Sequence, residues 1–294
     1  MRERQRRAQR KGLASCLPFI ASAIISLVAP LSSSADKLKP EELVARHLES
    51  IGSAKARAAI ATRIISGTSQ VIFRTPPPGQ AVVRAVLASQ GVKSLIGMSF
   101  PSPVYPREQL GFDGSSFMAA FVVPGQRSAL GSFLMTHNLI FKQGLMGGTL
   151  SSAWPLLNLS IRSPQLEYAG LKTIENRTLH EMKYLPRGGS DLQIRLFFDS
   201  ETFRHLRTEY ERVIAAQTGD RSMIAGVTRE TRFKLVEEFS DFKKEGELDL
   251  PHTYKIKLTT DTEAGTFSAE WVINLTQFTF NEPIDPNSFS ISTR

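Results

Sequence analysis

"FFDSETFRHLRTEYERV", residues 197–213, decides the fold. Phe203, Leu206, Tyr210 and Val213 fall at helical spacing, yet Leu192, Ile194, Leu196 and Phe198 just before them alternate as a strand does. A strand running into a helix would imply a mixed α/β layout. A hairpin turning at Asp199-Ser200-Glu201-Thr202 would imply a long antiparallel sheet. Leu206, Thr208, Tyr210 and Ile214 carry an imperfect alternation past the turn, and strand-like segments lie on both sides. The hairpin is therefore the expectation.

Downstream the period of two is clear. In "RFKLVEEF" it runs through Phe233, Leu235 and, past Glu237, Phe239. In "TYKIKL" it is Tyr254, Ile256 and Leu258, and in "FSAEWVINL" it is Phe267, Ala269, Trp271, Ile273 and Leu275. Such segments belong to antiparallel sheets with one buried and one wet face. Upstream of the hairpin, "LEYAGLKTI", "RTLHEMKYL" and "DLQIRLFFD" read as strands. So do "ATRIISGTSQVIF", "GQAVVRAVLAS" and "VKSLIGMSF" nearer the amino end. After an Asp113-Gly114 turn a further strand is expected, with Phe117, Ala119, Phe121 and Val123 on one side.

Two segments break the β pattern. "KPEELVARHLESIGS" has Pro40 at a helix start, Glu41 and Glu42 in the first turn, and Leu43, Val44, Leu48 and Ile51 on one face before Gly52. In residues 127–159, Leu130, Phe133, Leu134, His137 and Phe141 follow the helical period, Gly147-Gly148 interrupt it, and Trp154, Leu156 and Leu157 restart an apolar cluster. One or two helices inserted between strands are expected there. The helix is a core helix by its composition, or a movable cover if Gly144, Gly147 and Gly148 act as a hinge.

Charge and cysteine usage narrow the function. The net charge of +8 is concentrated at the amino end: six basic residues against one acid in the first eleven leave thirty basic and twenty-seven acidic residues elsewhere, a net +3. No basic stripe with interleaved aromatics follows, so nucleic acid is not an expected partner. "LASCLPFIASAIISLVAPLSSSA" after the basic start reads as the apolar core of a secretory leader, with cleavage near Ala35; the competing reading is a retained anchor. Cys16 is the only cysteine and lies in that leader, so a mature chain of about 259 residues has no thiol chemistry. His47, His137, His180, His205 and His252 are scattered and read as surface or half-buried residues; no metal, cofactor or catalytic residue is expected. There is no nucleophile elbow or phosphate loop, and Ser240 and Lys243 of "SDFK" match a Ser-Lys spacing only by coincidence.

The order of the motifs carries a resemblance. "EELVARHLESIG", "GFDGSSFMA", "LFFDSETFRHLRTEYE", "RFKLVEEFSDF" leading to "ELDLPHTYKIKL", and "INLTQFTFNEPIDPNSFSI" together resemble the LolA/LolB-like lipoprotein-localisation family over residues 41–291. The resemblance implies a mainly β (α+β) fold: a curved antiparallel sheet, an unclosed barrel, with helices covering its concave face. It implies one domain over residues 36–294 after a leader of residues 1–35, with the helical insertion near 127–159. It also implies a monomeric, non-catalytic carrier in the periplasm that binds a lipid or a lipoprotein acyl chain. Contact with envelope proteins and peripheral contact with the membrane would accompany that role. The hollow would be lined by Phe117, Phe121, Phe133, Phe141, Trp154, Tyr254, Ile256, Trp271 and Ile273; the same side chains could equally form an ordinary core layer. Some members carry a basic residue beside a proline on an early strand, where "VKSLIGMSF" has Lys93 and no proline. The alternatives are an envelope sensor or interaction module with a filled core and, less favoured, a hydrolase.

Overall fold

The computed structural model describes residues 38–73, 79–215, 230–263 and 265–292. The expected leader, residues 1–35, lies outside them. Helix α1 (Pro40–Ile51) starts at the proline as its sequence dictates and buries Leu43, Val44, His47 and Ile51. A short α2 (Ala54–Ala58), capped by the Ser53 hydroxyl, occupies an alanine-rich stretch with no clear apolar period.

Twelve strands follow: β1 (Thr62–Phe73), β2 (Gly79–Gln90), β3 (Lys93–Ser99), β4 (Arg107–Phe112), β5 (Phe117–Ala119), β6 (Gln165–Ile174), β7 (Arg177–Leu185), β8 (Gln193–Asp199), β9 (His205–Ile214), β10 (Thr231–Glu245), β11 (Leu248–Thr262) and β12 (Gly265–Phe280). They form one antiparallel sheet in the order β5-β4-β3-β2-β1-β12-β11-β10-β9-β8-β7-β6. The hairpin reading of residues 197–213 is the observed one. Asp199 organises the turn, its carboxylate accepting from the Glu201 and Thr202 amides and the Thr202 hydroxyl.

One expectation needs correction. The strand expected to run from Phe117 to Val123 is only three residues long, because at Val122 the chain folds into a tight turn closed on Gln126. Between β5 and β6 the chain forms α3 (Ala129–Thr136), α4 (Leu139–Lys142), two 3-10 turns (Gly148–Leu150 and Pro155–Leu157) and α5 (Leu159–Arg162). The expected one or two helices are here three short ones, interrupted by the two 3-10 turns. Strand β4 is an addition to the expected set, since Glu108 and Gly111 disturb its apolar alternation.

The sheet must curl. Strands β5 and β7 lie ten strand intervals apart, about 48 Å across a flat sheet. Yet Phe141 stacks on Phe117 of β5 with ring centroids 4.4 Å apart, while Gln143, two residues on, accepts a 2.7 Å hydrogen bond from the Tyr184 hydroxyl of β7. Only a strongly bent sheet brings both within reach of one short segment. Its end strands β5 and β6 do not pair with each other, so it is an unclosed barrel with helices on its inner face.

Candidate functional site

The inner face and the insertion that fills it form the candidate site. Eight of the nine side chains expected to line a hollow meet in one apolar cluster: Phe117, Phe133, Phe141, Trp154, Tyr254, Ile256, Trp271 and Ile273, each at most 7% exposed. Phe121 stays outside, half-buried beneath the Arg127 guanidinium, 4.4 Å from its ring centroid. The insertion lies tightly on the sheet. Between it and β2–β3, beside Met146 and Leu150, a space of only about 10 Å³ remains, at the lower limit of what holds a water molecule.

Polar contacts that the sequence pattern does not reveal fix the insertion to the sheet. The carboxylate of Glu237 on β10 is fully buried. Its Oε1 accepts from the Gly147 amide at 2.7 Å and from the Tyr254 hydroxyl at 2.6 Å, and its Oε2 accepts from the Tyr210 hydroxyl at 2.6 Å. Burial pushes this carboxyl up to about 7 despite the three donors. Glu108 on β4, also buried and also pushed up to about 7 by burial, accepts from Tyr105, whose hydroxyl accepts in turn from the Trp271 indole. One cue is in the sequence: Glu237 sits in phase with Leu235 and Phe239 on the buried side of its strand.

Lys93 is not the basic residue that meets the insertion. Arg63 of β1, 2% exposed, donates to the Thr149 carbonyl at 2.5 Å. Burial lowers its guanidinium to about 10, so it remains charged at neutral pH. The histidines also correct the sequence reading, since His47, His137 and His205 are buried rather than at the surface. An imidazole can be buried where it remains neutral. His47 Nε2 accepts from the Trp154 indole at 3.1 Å and its Nδ1 contacts the Phe203 carbonyl at 3.1 Å. Burial lowers His47 to about 4, and lowers His205, stacked on Trp154, well below its ordinary value. His180 and His252 are half-buried.

An opening lies at the side of the sheet. The β7–β8 pairing ends at Lys183 and Arg195. Beyond it, Tyr184 and Leu185 pair with β6, whereas Gln193 and Ile194 pair with β9. The strands fork around a cavity of about 440 Å³ lined by Tyr184, Leu185, Pro186, Leu192 and Ile194 among others. Tyr184, Leu192 and Ile194 belong to the inner apolar cluster, so the fork adjoins the filled face.

Among the described residues no group of three histidine, cysteine, aspartate or glutamate side chains is arranged to hold a metal ion, and no helix is long and apolar enough to cross a membrane. Ser240 and Lys243 form no nucleophile pair in the structure, where Lys243 contacts Asp241 at 2.8 Å.

No family model and no curated protein matches the chain. Solved structures similar to it include a LolA superfamily protein from Nitrosomonas europaea, with 10% identity and a TM-score of 0.43, covering 86% of this chain and 97% of that one. A DUF1329 family protein from Desulfovibrio piger has 9% identity and a TM-score of 0.46, covering 85% and 97%. A putative outer membrane lipoprotein-sorting protein domain from Vibrio parahaemolyticus has 14% identity and a TM-score of 0.42, covering 86% and 97%.

Proposed function

We propose that this chain is an exported, non-catalytic protein of the cell envelope that holds a lipid or the acyl part of a lipoprotein, acting in the periplasm after removal of a leader near Ala35. The observation that carries the reading is the fork between β7 and β8. Its volume falls in the range of small-ligand sites, its lining is mainly apolar, and it adjoins the inner cluster. An alkyl chain entering there meets Tyr184, whose hydroxyl is bonded to Gln143 of the insertion. Further entry displaces the insertion and exposes Phe141, Trp154, Tyr254 and Trp271 to the ligand. Each methylene buried contributes about 0.8 kcal/mol, so a chain of ten or more can offset the packing that the insertion gives up when it moves.

The test is displacement of a fluorescent sixteen-carbon fatty acid, together with mass spectrometry of organic extracts from protein purified without detergent. A co-purifying amphiphile and saturable displacement are expected. Leu185→Trp, at the partly exposed mouth of the fork, is expected to weaken binding at least tenfold. Absence of both amphiphile and displacement would sink the reading.

A second reading is favoured by a different observation, the near-complete burial of eight expected lining residues, five on the sheet and three in the insertion, against one another. In it the inner face is simply a core, and the protein is an envelope sensor or interaction module. Its expected signature is a wild-type chain that binds no fatty acid yet cross-links to a defined envelope protein.

A further inference from the structure

The outer face of the sheet is divided in charge. On β7–β10 cations stand beside carboxylates: Arg207 Nε lies 2.8 Å from Glu209, Lys234 Nζ 3.0 Å from Glu209, and Arg195 Nη1 3.5 Å from Glu211. On β1–β4 the register builds a different surface. Thr68 lies opposite Arg84, Arg84 opposite Ser99, and Ser99 opposite Arg107. Directly opposed residues share a face, and all four are exposed. They form a row across four strands, with the two arginines two strand spacings, or about 10 Å, apart.

The next row on this face holds Gln277, Ser66, Val86, Gly97 and Gln109. Gly97 contributes no side chain to it, which leaves the middle of the surface low. The two rows bound a concavity of about 880 Å³ with no carboxylate among its lining residues. Among the described residues neither Arg84 nor Arg107 has an ion-pair partner. Arg107 Nε donates a 3.4 Å bond to the Phe121 carbonyl, and among the described residues its outer nitrogens meet no acceptor. Guanidinium groups recognise phosphate through paired donors, and the hydroxyl and amide side chains between them suit a ligand rich in hydroxyl groups.

We propose that this groove is a second binding site, for a hydroxyl-rich ligand carrying phosphate groups about 10 Å apart, one at Arg84 and one at Arg107. The site lies on the opposite face from the acyl-binding region and does not depend on that reading. Ligands of this chemistry exist as soluble sugar phosphates and as phosphorylated lipid headgroups.

The experiment is calorimetric titration of the wild-type chain with fructose 1,6-bisphosphate, glucose 6-phosphate and inorganic phosphate, beside co-sedimentation with phosphatidylcholine vesicles with and without phosphatidylglycerol. The bisphosphate is expected to bind at least tenfold more tightly than either monophosphate. Arg84→Gln and Arg107→Gln, both exposed positions, are each expected to weaken it at least tenfold, and Lys243→Gln/Lys244→Gln on the β10–β11 hairpin to leave it unchanged. Binding only to phosphatidylglycerol vesicles, lost in the two arginine variants, would assign the phosphate to a lipid headgroup. No binding in either arm, or equal losses in the arginine and lysine variants, would overturn the proposal. Fatty-acid displacement measured on the same arginine variants is expected to stay at the wild-type level, which separates failure of this site from failure of the acyl reading.

Discussion

At the scale of single residues, the informative positions are ionisable groups placed where the pattern calls for apolar ones. Glu237 ionises near 4.5 in an unfolded chain but retains its proton to about 7 when folded. Its contribution to stability is therefore complete below 4.5 and is lost as the pH rises through about 7, a span of about 3 kcal/mol. His47 has the opposite sign: with its folded value lowered from 6.5 to about 4, stability is complete above 6.5 and is lost as the pH falls towards 4. Glu237→Gln keeps the shape, can still accept from Gly147, and removes the first effect alone. The stability difference between this variant and wild type is expected to move by about 3 kcal/mol in the variant's favour between about pH 4 and about pH 8. Urea unfolding at both pH values measures it. Glu237→Ala, by contrast, orphans the Gly147 amide and two buried phenol hydroxyls and is expected to cost about 3 kcal/mol or more at about pH 5.

At the scale of elements, the insertion depends on two glycines whose close neighbours leave no room for a Cβ. Gly144 has φ 73°, and a Cβ there would stand 2.0 Å from the Ala153 carbonyl oxygen; Gly148 has φ 49°, and a Cβ there would meet Phe239 at 2.8 Å and His205 at 2.9 Å. Neither clash can be relieved while the insertion keeps its seat. Gly144→Ala is expected to destabilise the chain by about 2 kcal/mol and to do so locally. Hydrogen exchange should rise across residues 129–157 while β10–β12 remain protected, and fatty-acid uptake should quicken. Uniform loss of protection would show that the insertion and the sheet open as one unit. The glycines are visible in the sequence as a break, but their role is not. Gly144 meets Ala153 because the chain folds back on itself over nine residues, which no local periodicity encodes.

At the scale of the whole molecule, what is legible follows from how each strand meets water. Strands β6 to β8 and β10 to β12 announce themselves because one face is more apolar than the other, whereas β9, where Leu206, Tyr210 and Val213 also fit a helix, is read as a strand from its neighbours and the Asp199 turn. Strand β4 is hidden by Glu108, a carboxylate on its buried side. The apolar members of the candidate site are legible as apolar. Whether they enclose a hollow is not, because the answer depends on how closely a string of short turns fits a curled sheet whose distant strands it bridges. The two tryptophans turn that question into a measurement, since Trp154 lies in the insertion and Trp271 in the sheet beneath it. In Trp271→Phe only Trp154 reports, and in Trp154→Phe only Trp271 does. If the insertion is a separable cover, as acyl binding requires, Trp154 fluorescence in the one variant and Trp271 fluorescence, uncovered by the same movement, in the other should each change at lower urea than the far-UV circular dichroism of that variant. Coincidence in both variants would mean that insertion and sheet form a single cooperative core, and would favour the interaction-module reading over the carrier.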